Sequence, residues 1–218
     1  MKKFCVSLLS MALFASVIGF TPDYASAKKV TSVNVSEDNQ DKVDKRFTEI
    51  AEKYEIGEAI KGDDLEFIKK YSVIVEDNDE MKAKAVWDIE KVFKITGSAS
   101  NEDLSAKLSG ELTAVVGFWH NTVDGDLKLA VTKGSPKKYR LKANLLGFGL
   151  VNSDGDVGKT VDKTFDSDWN ESTKKSYPYT FGEDIYANII YYNVSVDGSV
   201  KSSNGTLTVR GKEDKNLQ

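Results

Sequence analysis

Two stretches in the first third of the chain have the hydrophobic period of an α-helix. In the first, which starts near Asp41, the apolar residues recur every three or four positions, on one helical face: Val43, Phe47, Ile50 and Tyr54. Gly57 predicts the stop of this helix. A second helix is predicted from Asp63, an expected N-cap with Glu66 three residues on, as in a capping box. Its apolar positions are Leu65, Ile68 and Tyr71.

After residue 84 the hydrophobic period changes from nearly four to two, which predicts half-buried strands. The alternating runs are Trp87 to Ile95, Ala106 to Val116, Leu127 to Val131, Tyr139 to Leu145, Val157 to Phe165, Tyr186 to Val196, and Leu207 with Val209. Turns are predicted at four dipeptides: Asp124-Gly125, Asp154-Gly155, Asp197-Gly198 and Asn204-Gly205.

Seven or eight short strands with frequent turns predict a mainly β fold, an antiparallel β-sandwich of immunoglobulin-like or jelly-roll-like type. No long helices alternate with the strands, which argues against a parallel α/β sheet. The predicted organisation is a signal peptide (1–27), a segment with a polar leader, two short helices and a charged linker (28–82), and the sandwich domain (83–218). The helical segment is either a propeptide or a cover for a strand edge.

The first 27 residues predict export. Lys2 and Lys3 precede an apolar run from Phe4 to Phe20, and Ala25-Ser26-Ala27 has the small-x-small pattern that signal peptidase cleaves. The run is short for a spanning helix, so we expect no integral membrane span after cleavage. Cleavage would also remove Cys5, the one cysteine of the 218 residues. A cysteine-free exported chain is typical of a bacterial extracellular protein.

Composition excludes several kinds of chemistry. One His and one Cys cannot form a Cys/His zinc site, a Cys–His dyad or a disulfide framework. With 30 basic and 34 acidic residues the net charge is −4, which argues against a nucleic-acid partner. The oligomeric state stays open.

The segment EIAEKYEIGEAIKGDDLEFIKKY (49–71) and the later SSNGTLTV resemble small secreted proteins of Gram-positive bacilli. The resemblance implies a signal peptide, a short helical segment and a β-rich C-terminal domain. The function of that family is uncharacterised, so the resemblance implies no activity, cofactor or site.

Large aromatic side chains are the main indication of a binding site. Sugars stack on exposed rings, and the candidate ligand-binding residues are Trp169, Trp119, Tyr179 and Tyr186. Trp169 stands in a polar loop and is expected to have the most exposed ring. Adjacent strand residues face opposite sides, so of Tyr191 and Tyr192 one should lie in the core and the other outward or under a covering helix.

Asn152, Asp154 and Asp156 place oxygen ligands at alternate positions, as calcium loops do. The segment departs from the EF-hand loop, since Val157 stands where the turn glycine belongs and Lys163 where the bidentate Glu belongs. Calcium is therefore the one cofactor considered, and a plain tight turn is the alternative.

Catalysis has weaker support. His120 could act as a general base, but the chain has no GxSxG motif or comparable nucleophile signature. Acidic pairs of the kind glycosidases use occur at Asp63/Asp64, Asp154/Asp156, Asp166/Asp168 and Glu183/Asp184. The sequence thus predicts a non-catalytic secreted module that binds a cell-wall or environmental polymer, with a polysaccharide as the expected partner. The alternatives are a small glycan hydrolase and a secreted toxin or inter-bacterial factor.

Overall fold

The computed structural model describes residues 37–74, 89–117 and 119–213, and all statements below concern these residues. Two helices come first, α1 (Glu37–Lys53) and α2 (Asp63–Tyr71). Ten strands follow: β1 (Val73–Ile74), β2 (Ile89–Ser100), β3 (Ser105–Val116), β4 (His120–Lys133), β5 (Lys138–Leu150), β6 (Val157–Asp166), β7 (Asn170–Glu171), β8 (Ser176–Tyr186), β9 (Tyr191–Lys201) and β10 (Thr206–Glu213).

The predicted mainly β, antiparallel fold with two short helices is confirmed. Eight strands form one path in the order β6-β5-β9-β10-β2-β3-β4-β8, while β1 pairs with β9 and β7 with β5. The sandwich arrangement and the count of seven or eight strands are not confirmed. The path is continuous, although its β10–β2 link consists of two residue pairs, Lys212 with Thr96 and Glu213 with Ile95.

One core fills the inside of this curved sheet. The inward residues alternate along every long strand and include fully buried Leu127, Leu129 and Tyr139. Rings from the two halves of the path meet edge-to-face, with the centroids of Phe93 and Tyr192 5.8 Å apart. Burying these apolar side chains is the main stabilising term of the fold.

The two end strands of the path, β6 and β8, meet through side chains. The rings of Phe165 and Phe181 stack with centroids 4.2 Å apart, and Lys163 pairs with Glu183. The seam between the end strands is therefore closed by an apolar contact and an ion pair.

A second core lies between the helices and the outward face of β5 and β9. The helical segment contributes Val43, Phe47, Ile50, Ile60 and Ile68. The sheet contributes Leu146, Phe148 and Tyr191, together with Ile190 directly before β9. The prediction for the tyrosine pair is confirmed, since Tyr192 belongs to the inner core and Tyr191 to the core beneath the helices.

The helices differ from prediction at their N-termini. The first helix begins at Glu37 rather than near Asp41. The capping box at Asp63 is wrong, because the N-cap is Gly62 and no side chain caps the helix. Gly62 has φ +63°, a backbone conformation that glycine adopts without steric cost, so Asp63 is displaced into the first turn.

The strand predicted from Tyr186 to Val196 is wrong, because Tyr186 ends β8 and Tyr191 begins β9. Strand β8 is missing from the predicted runs, although Tyr177, Tyr179, Phe181 and Ile185 alternate along it, and it contains Pro178. A proline is tolerated there since β8 is an end strand of the path.

Two of the four predicted turns are wrong. Asp124-Gly125 lies inside β4 and Asp197-Gly198 inside β9, whereas Asp154-Gly155 and Asn204-Gly205 lie between strands. A side chain at Gly125 would overlap the ring of Phe181. The glycine serves close packing here, not chain reversal.

Residues 1–36 and 75–88 lie outside the described residues, so the signal peptide, the polar leader, the charged linker and Trp87 are not located. In the part of the chain that the structure describes, no helix has the length and apolar character needed to cross a membrane.

Candidate functional site

Two of the four candidate aromatic residues come together at one end of the sheet. Trp119 directly precedes β4, and Tyr186 is the last residue of β8. The two strands pair in register so that His120 lies opposite Tyr186. Trp119 and Tyr186 are 62% and 77% exposed, the most exposed large rings among the described residues.

His120 and Asp184 complete this group, which we call the aromatic end (Trp119, His120, Asp184 and Tyr186). The rings of His120 and Tyr186 stack with centroids 5.2 Å apart. The Nε2 of His120 lies 3.0 Å from Oδ1 of Asp184. The imidazole is thus held between a carboxylate and a phenol ring, and its contacts orient both side chains.

Asn121, which the sequence analysis missed, braces this end from inside. Its side chain is buried, and Nδ2 donates to the carbonyls of Ile185, at 3.1 Å, and Ala187, at 2.8 Å. Its Oδ1 accepts from the backbone N–H of Gly117 at 3.2 Å. These bonds tie the segment before β4 to the segment after β8, and so fix the backbone that carries the exposed rings. Only the strand register could have indicated this role.

The other two candidate aromatics lie elsewhere. Trp169 was expected to have the most exposed ring, but it is half-buried, with Nζ of Lys201 4.1 Å from its ring centroid. Tyr179 faces the inner core beside Phe181, at 5.5 Å between ring centroids, and burial raises the pKa of its hydroxyl. Both rings are engaged in packing.

The candidate calcium residues form a loop that is held by its own hydrogen bonds. Oδ1 of Asn152 accepts from the backbone N–H groups of Asp154 and Asp156, each at 3.1 Å. Its Nδ2 donates to Oδ2 of Asp156 at 2.9 Å. Gly155 has φ +83°, as this tight turn requires. Across the described ranges no three His, Cys, Asp or Glu side chains are grouped as metal ligands.

The carboxylates of the candidate acidic pairs have different partners in the structure. Glu183 and Asp184 face opposite sides of β8, toward Lys163 and His120 respectively. The Arg140 guanidinium, which binds the carboxylate of Asp166 through two nitrogens, lowers its pKa to about 2. A carboxylate with that pKa stays ionised near neutral pH and cannot donate a proton as a general acid.

Asp64 is also a structural group. It is 3% exposed and lies between the helices, where it accepts from Lys53 at 2.6 Å and Tyr54 at 2.9 Å and pairs with Arg46. The Lys53 hydrogen bond, with those of the other partners, lowers the pKa of the Asp64 carboxyl. This cluster joins α1 to α2 and leaves the aromatic end as the best-defined exposed group of candidate residues.

Comparison with known proteins gives no further guide to this end of the sheet: no family model matches the chain, and no curated protein matches it.

Proposed function

We propose that the chain is a secreted bacterial protein that binds a cell-wall or environmental polysaccharide without catalysis, through the aromatic end. The observation that supports this proposal is the exposure of Trp119 and Tyr186 at the same end of the sheet, where the Tyr186 ring stacks on His120. Large exposed rings are costly in water, so their grouping favours a ligand that covers them. The negative ring face attracts the polarised C–H groups of a sugar.

The fixed geometry of the group also supports recognition. The stacked His120 ring and the Asp184 carboxylate restrict the Tyr186 ring before any ligand arrives, which reduces the entropy lost on binding. Asn121 fixes the backbone below. Asp184 and His120 provide hydrogen-bonding groups for sugar hydroxyls beside the ring faces.

We also propose that the scaffold is a sandwich in which the β6-β5-β9-β10 and β2-β3-β4-β8 halves form two layers. Support comes from the two-pair link between β10 and β2 and from the Phe93–Tyr192 contact across the core. Such a scaffold is rigid enough to present a site at the ends of its strands.

The test is co-sedimentation of residues 28–218 with peptidoglycan, chitin and cellulose, with and without calcium, following tryptophan fluorescence. Saturable binding with a spectral shift is expected, lost in Trp119→Ala and Tyr186→Ala. If binding depended on calcium, this would support Asn152, Asp154 and Asp156 as calcium ligands.

Ile56→Ala is the matched control, because Ile56 is another large apolar residue that is 63% exposed and it does not belong to the aromatic end. Trp169→Phe distinguishes the fluorescence of Trp119 from that of Trp169. Because Trp169 lies outside the aromatic end, both the binding and the spectral shift should be unchanged in this variant. Unchanged binding in Trp119→Ala and Tyr186→Ala would exclude this site, and no binding to any of the polymers would exclude the ligand class.

The His120–Asp184 contact favours one second candidate, a hydrolase with His120 as base. An aspartate that orients a histidine is a recurring element of hydrolytic sites. Both side chains are more than half exposed, so water and salt weaken the electrostatic interaction between them. The hydrolase predicts release of soluble sugar from one of the polymers, abolished in His120→Ala.

A further inference from the structure

The opposite end of the sheet from the aromatic end carries a cluster of lysines in a chain that is acidic overall. Strand β4 runs from His120 to Lys133, and its 14 residues span roughly 45 Å. We define the lysine end by the six lysines of three adjoining segments: Lys133, Lys137, Lys138, Lys174, Lys175 and Lys201.

Backbone hydrogen bonds hold these segments together. The N–H of Lys137 donates to the carbonyl of Lys201 at 2.7 Å, and the N–H of Ser172 donates to the carbonyl of Lys137 at 3.0 Å. The N–H of Val131 donates to the carbonyl of Lys175 at 2.7 Å. The segments that carry the lysines are therefore held next to one another by backbone hydrogen bonds of the loops at this end of the sheet.

Few acidic groups offset this charge. Glu171 pairs with Lys138 at 2.8 Å, and the neighbouring 101–104 turn carries Glu102 and Asp103. Lys133 bonds the carbonyl of Glu102, not its carboxylate, and the carboxylate of Asp103 accepts from Asn204. The lysine end keeps a net positive charge against the net −4 of the whole chain.

An open cavity of about 640 Å³ lies in this surface, lined by Lys137, Lys138, Glu171, Ser172, Thr173 and Lys174. Lys137 and Lys174 are exposed, and neither ammonium group has a hydrogen bond or ion pair within the described part of the chain. Two unpaired ammonium groups beside the hydroxyls of Ser172 and Thr173 suit the oxygens of a phosphate group.

We propose that the lysine end binds an extended polymer with repeating phosphodiesters, of the kind that a secreted protein meets in an anionic cell wall. Repeating charge fits a surface with several lysines, because linked phosphates bind together more tightly than single ones. The proposal does not rest on the polysaccharide site, since the two ends share no residue.

The observations favour this partner over a lipid surface or a nucleic acid. The exposed large apolar residues of the described chain are Ile56, Val92, Trp119 and Tyr186, and none lies at the lysine end to anchor in a bilayer. The nearby Trp169 ring is covered by Lys201, so it is not open for base stacking.

The test measures binding of residues 28–218 to synthetic poly(glycerol phosphate) by titration calorimetry at low and high NaCl. Lys137→Gln with Lys174→Gln should weaken binding about 25-fold, since each unit-charge contact at 4 Å in water is worth about fivefold. High salt should weaken binding by the unsubstituted protein as well.

Lys42→Gln with Lys61→Gln is the matched control, because it removes the same charge from two exposed lysines of the helical segment. Equal losses in the two pairs, or no binding of poly(glycerol phosphate), would overturn the proposal. Tighter lysine-dependent binding to phosphatidylglycerol vesicles or duplex DNA would overturn the choice of partner. Trp119→Ala should leave this binding unchanged, so failure here and failure at the aromatic end are distinguishable.

Discussion

The two hydrophobic cores of this protein share strands β5 and β9 but are assembled differently. The inner core takes every second residue of the long strands, so Leu145 and Tyr192 face it. The outer core takes the alternate residues Leu146 and Tyr191 and covers them with two helices. Strands β5 and β9 are therefore buried on both faces. Removing the layer that covers either face would expose apolar side chains of these two strands.

The helical segment also protects a strand edge. The N–H groups of Gly57 and Ile60 donate to the carbonyls of Lys159 and Val157, each at 2.8 Å, along the outer side of β6. The buried ammonium group of Lys159 reaches back to the carbonyl of Ala51 at 2.7 Å, in the last turn of α1. An unpaired edge invites association with other chains, so this covering contributes to solubility.

The largest effect is expected from removing the outer core altogether. A chain beginning at residue 75 would expose Leu146, Phe148, Ile190 and Tyr191 together, and we expect it to aggregate or to bind a hydrophobic dye. Analytical ultracentrifugation against residues 28–218 measures this. Under the proposed export, the mature species should accordingly begin near residue 28, and a soluble, stable monomer beginning near residue 80 would contradict the prediction.

Phe47→Ala tests whether the two cores unfold as one unit. Phe47 is 1% exposed and touches Phe67 and Phe148, so its truncation should cost about 3–5 kcal/mol of unfolding free energy. Urea unfolding should give coincident transitions by far-ultraviolet circular dichroism and by tryptophan fluorescence.

Leu127→Ala is the counterpart of Phe47→Ala in the inner core and should cost about 2–5 kcal/mol with the same coincidence of probes. Loss of helix signal before any change in the fluorescence transition would show that the outer core is independent of the inner one.

A smaller effect is expected at Asp64, which joins the helices. Asp64→Asn removes a buried charge, but Arg46 and Lys53 stay hydrated because they are 42% and 61% exposed. The cost should therefore lie below the usual range for a broken buried pair, at about 2–3 kcal/mol. The exposed neighbour Asp63 offers a matched control, and equal urea midpoints for Asp64→Asn and Asp63→Asn would contradict the role of this cluster.

These differences indicate what the sequence can predict. The period of two identified most strands of the inner core, and the adjacent tyrosines correctly predicted that Tyr191 and Tyr192 face opposite sides of the sheet. The sequence analysis missed β8, where Tyr177, Tyr179 and Phe181 do alternate with period two but Pro178, a residue rarely found inside a strand, stands among them. An Asp-Gly pair within a strand predicts a turn when only the sequence is known. At Gly125 the glycine is needed because the ring of Phe181, its partner on the neighbouring strand, occupies the space of a side chain.

The candidate site was predictable in part. Residue type alone indicates Trp119 and Tyr186 as candidates. The β4–β8 register, which the sequence does not show, brings them to the same end of the sheet as His120. The polar loop around Trp169 predicts an exposed ring, and this prediction is wrong because Lys201, at the end of β9, covers the ring. Such pairings join residues far apart in the chain, and local patterns carry no information about them.

The smallest predicted effect is a pH dependence of stability that comes from Asp166, the counterpart of Asp64 in the sheet. The Arg140 guanidinium holds the pKa of Asp166 at about 2, below the ordinary value of 3.8, so the folded state favours the charged carboxylate. Its contribution is complete above about pH 5 and is lost progressively as pH falls through the folded pKa of about 2. The pair is partly hydrated, and the contribution at pH 7 should be about 1–2 kcal/mol.

Asp166→Asn should therefore lower the urea midpoint at pH 7, and its difference from the unsubstituted protein should shrink between pH 4 and pH 2. Asp168→Asn is the control, since Asp168 is exposed and asparagine tolerates its φ of 55°. A difference that stays constant down to pH 2 would mean that Asp166 acts through packing, not charge. The double substitution with Asp64→Asn then measures how much of the acid sensitivity remaining in Asp166→Asn comes from Asp64, whose pKa is also lowered.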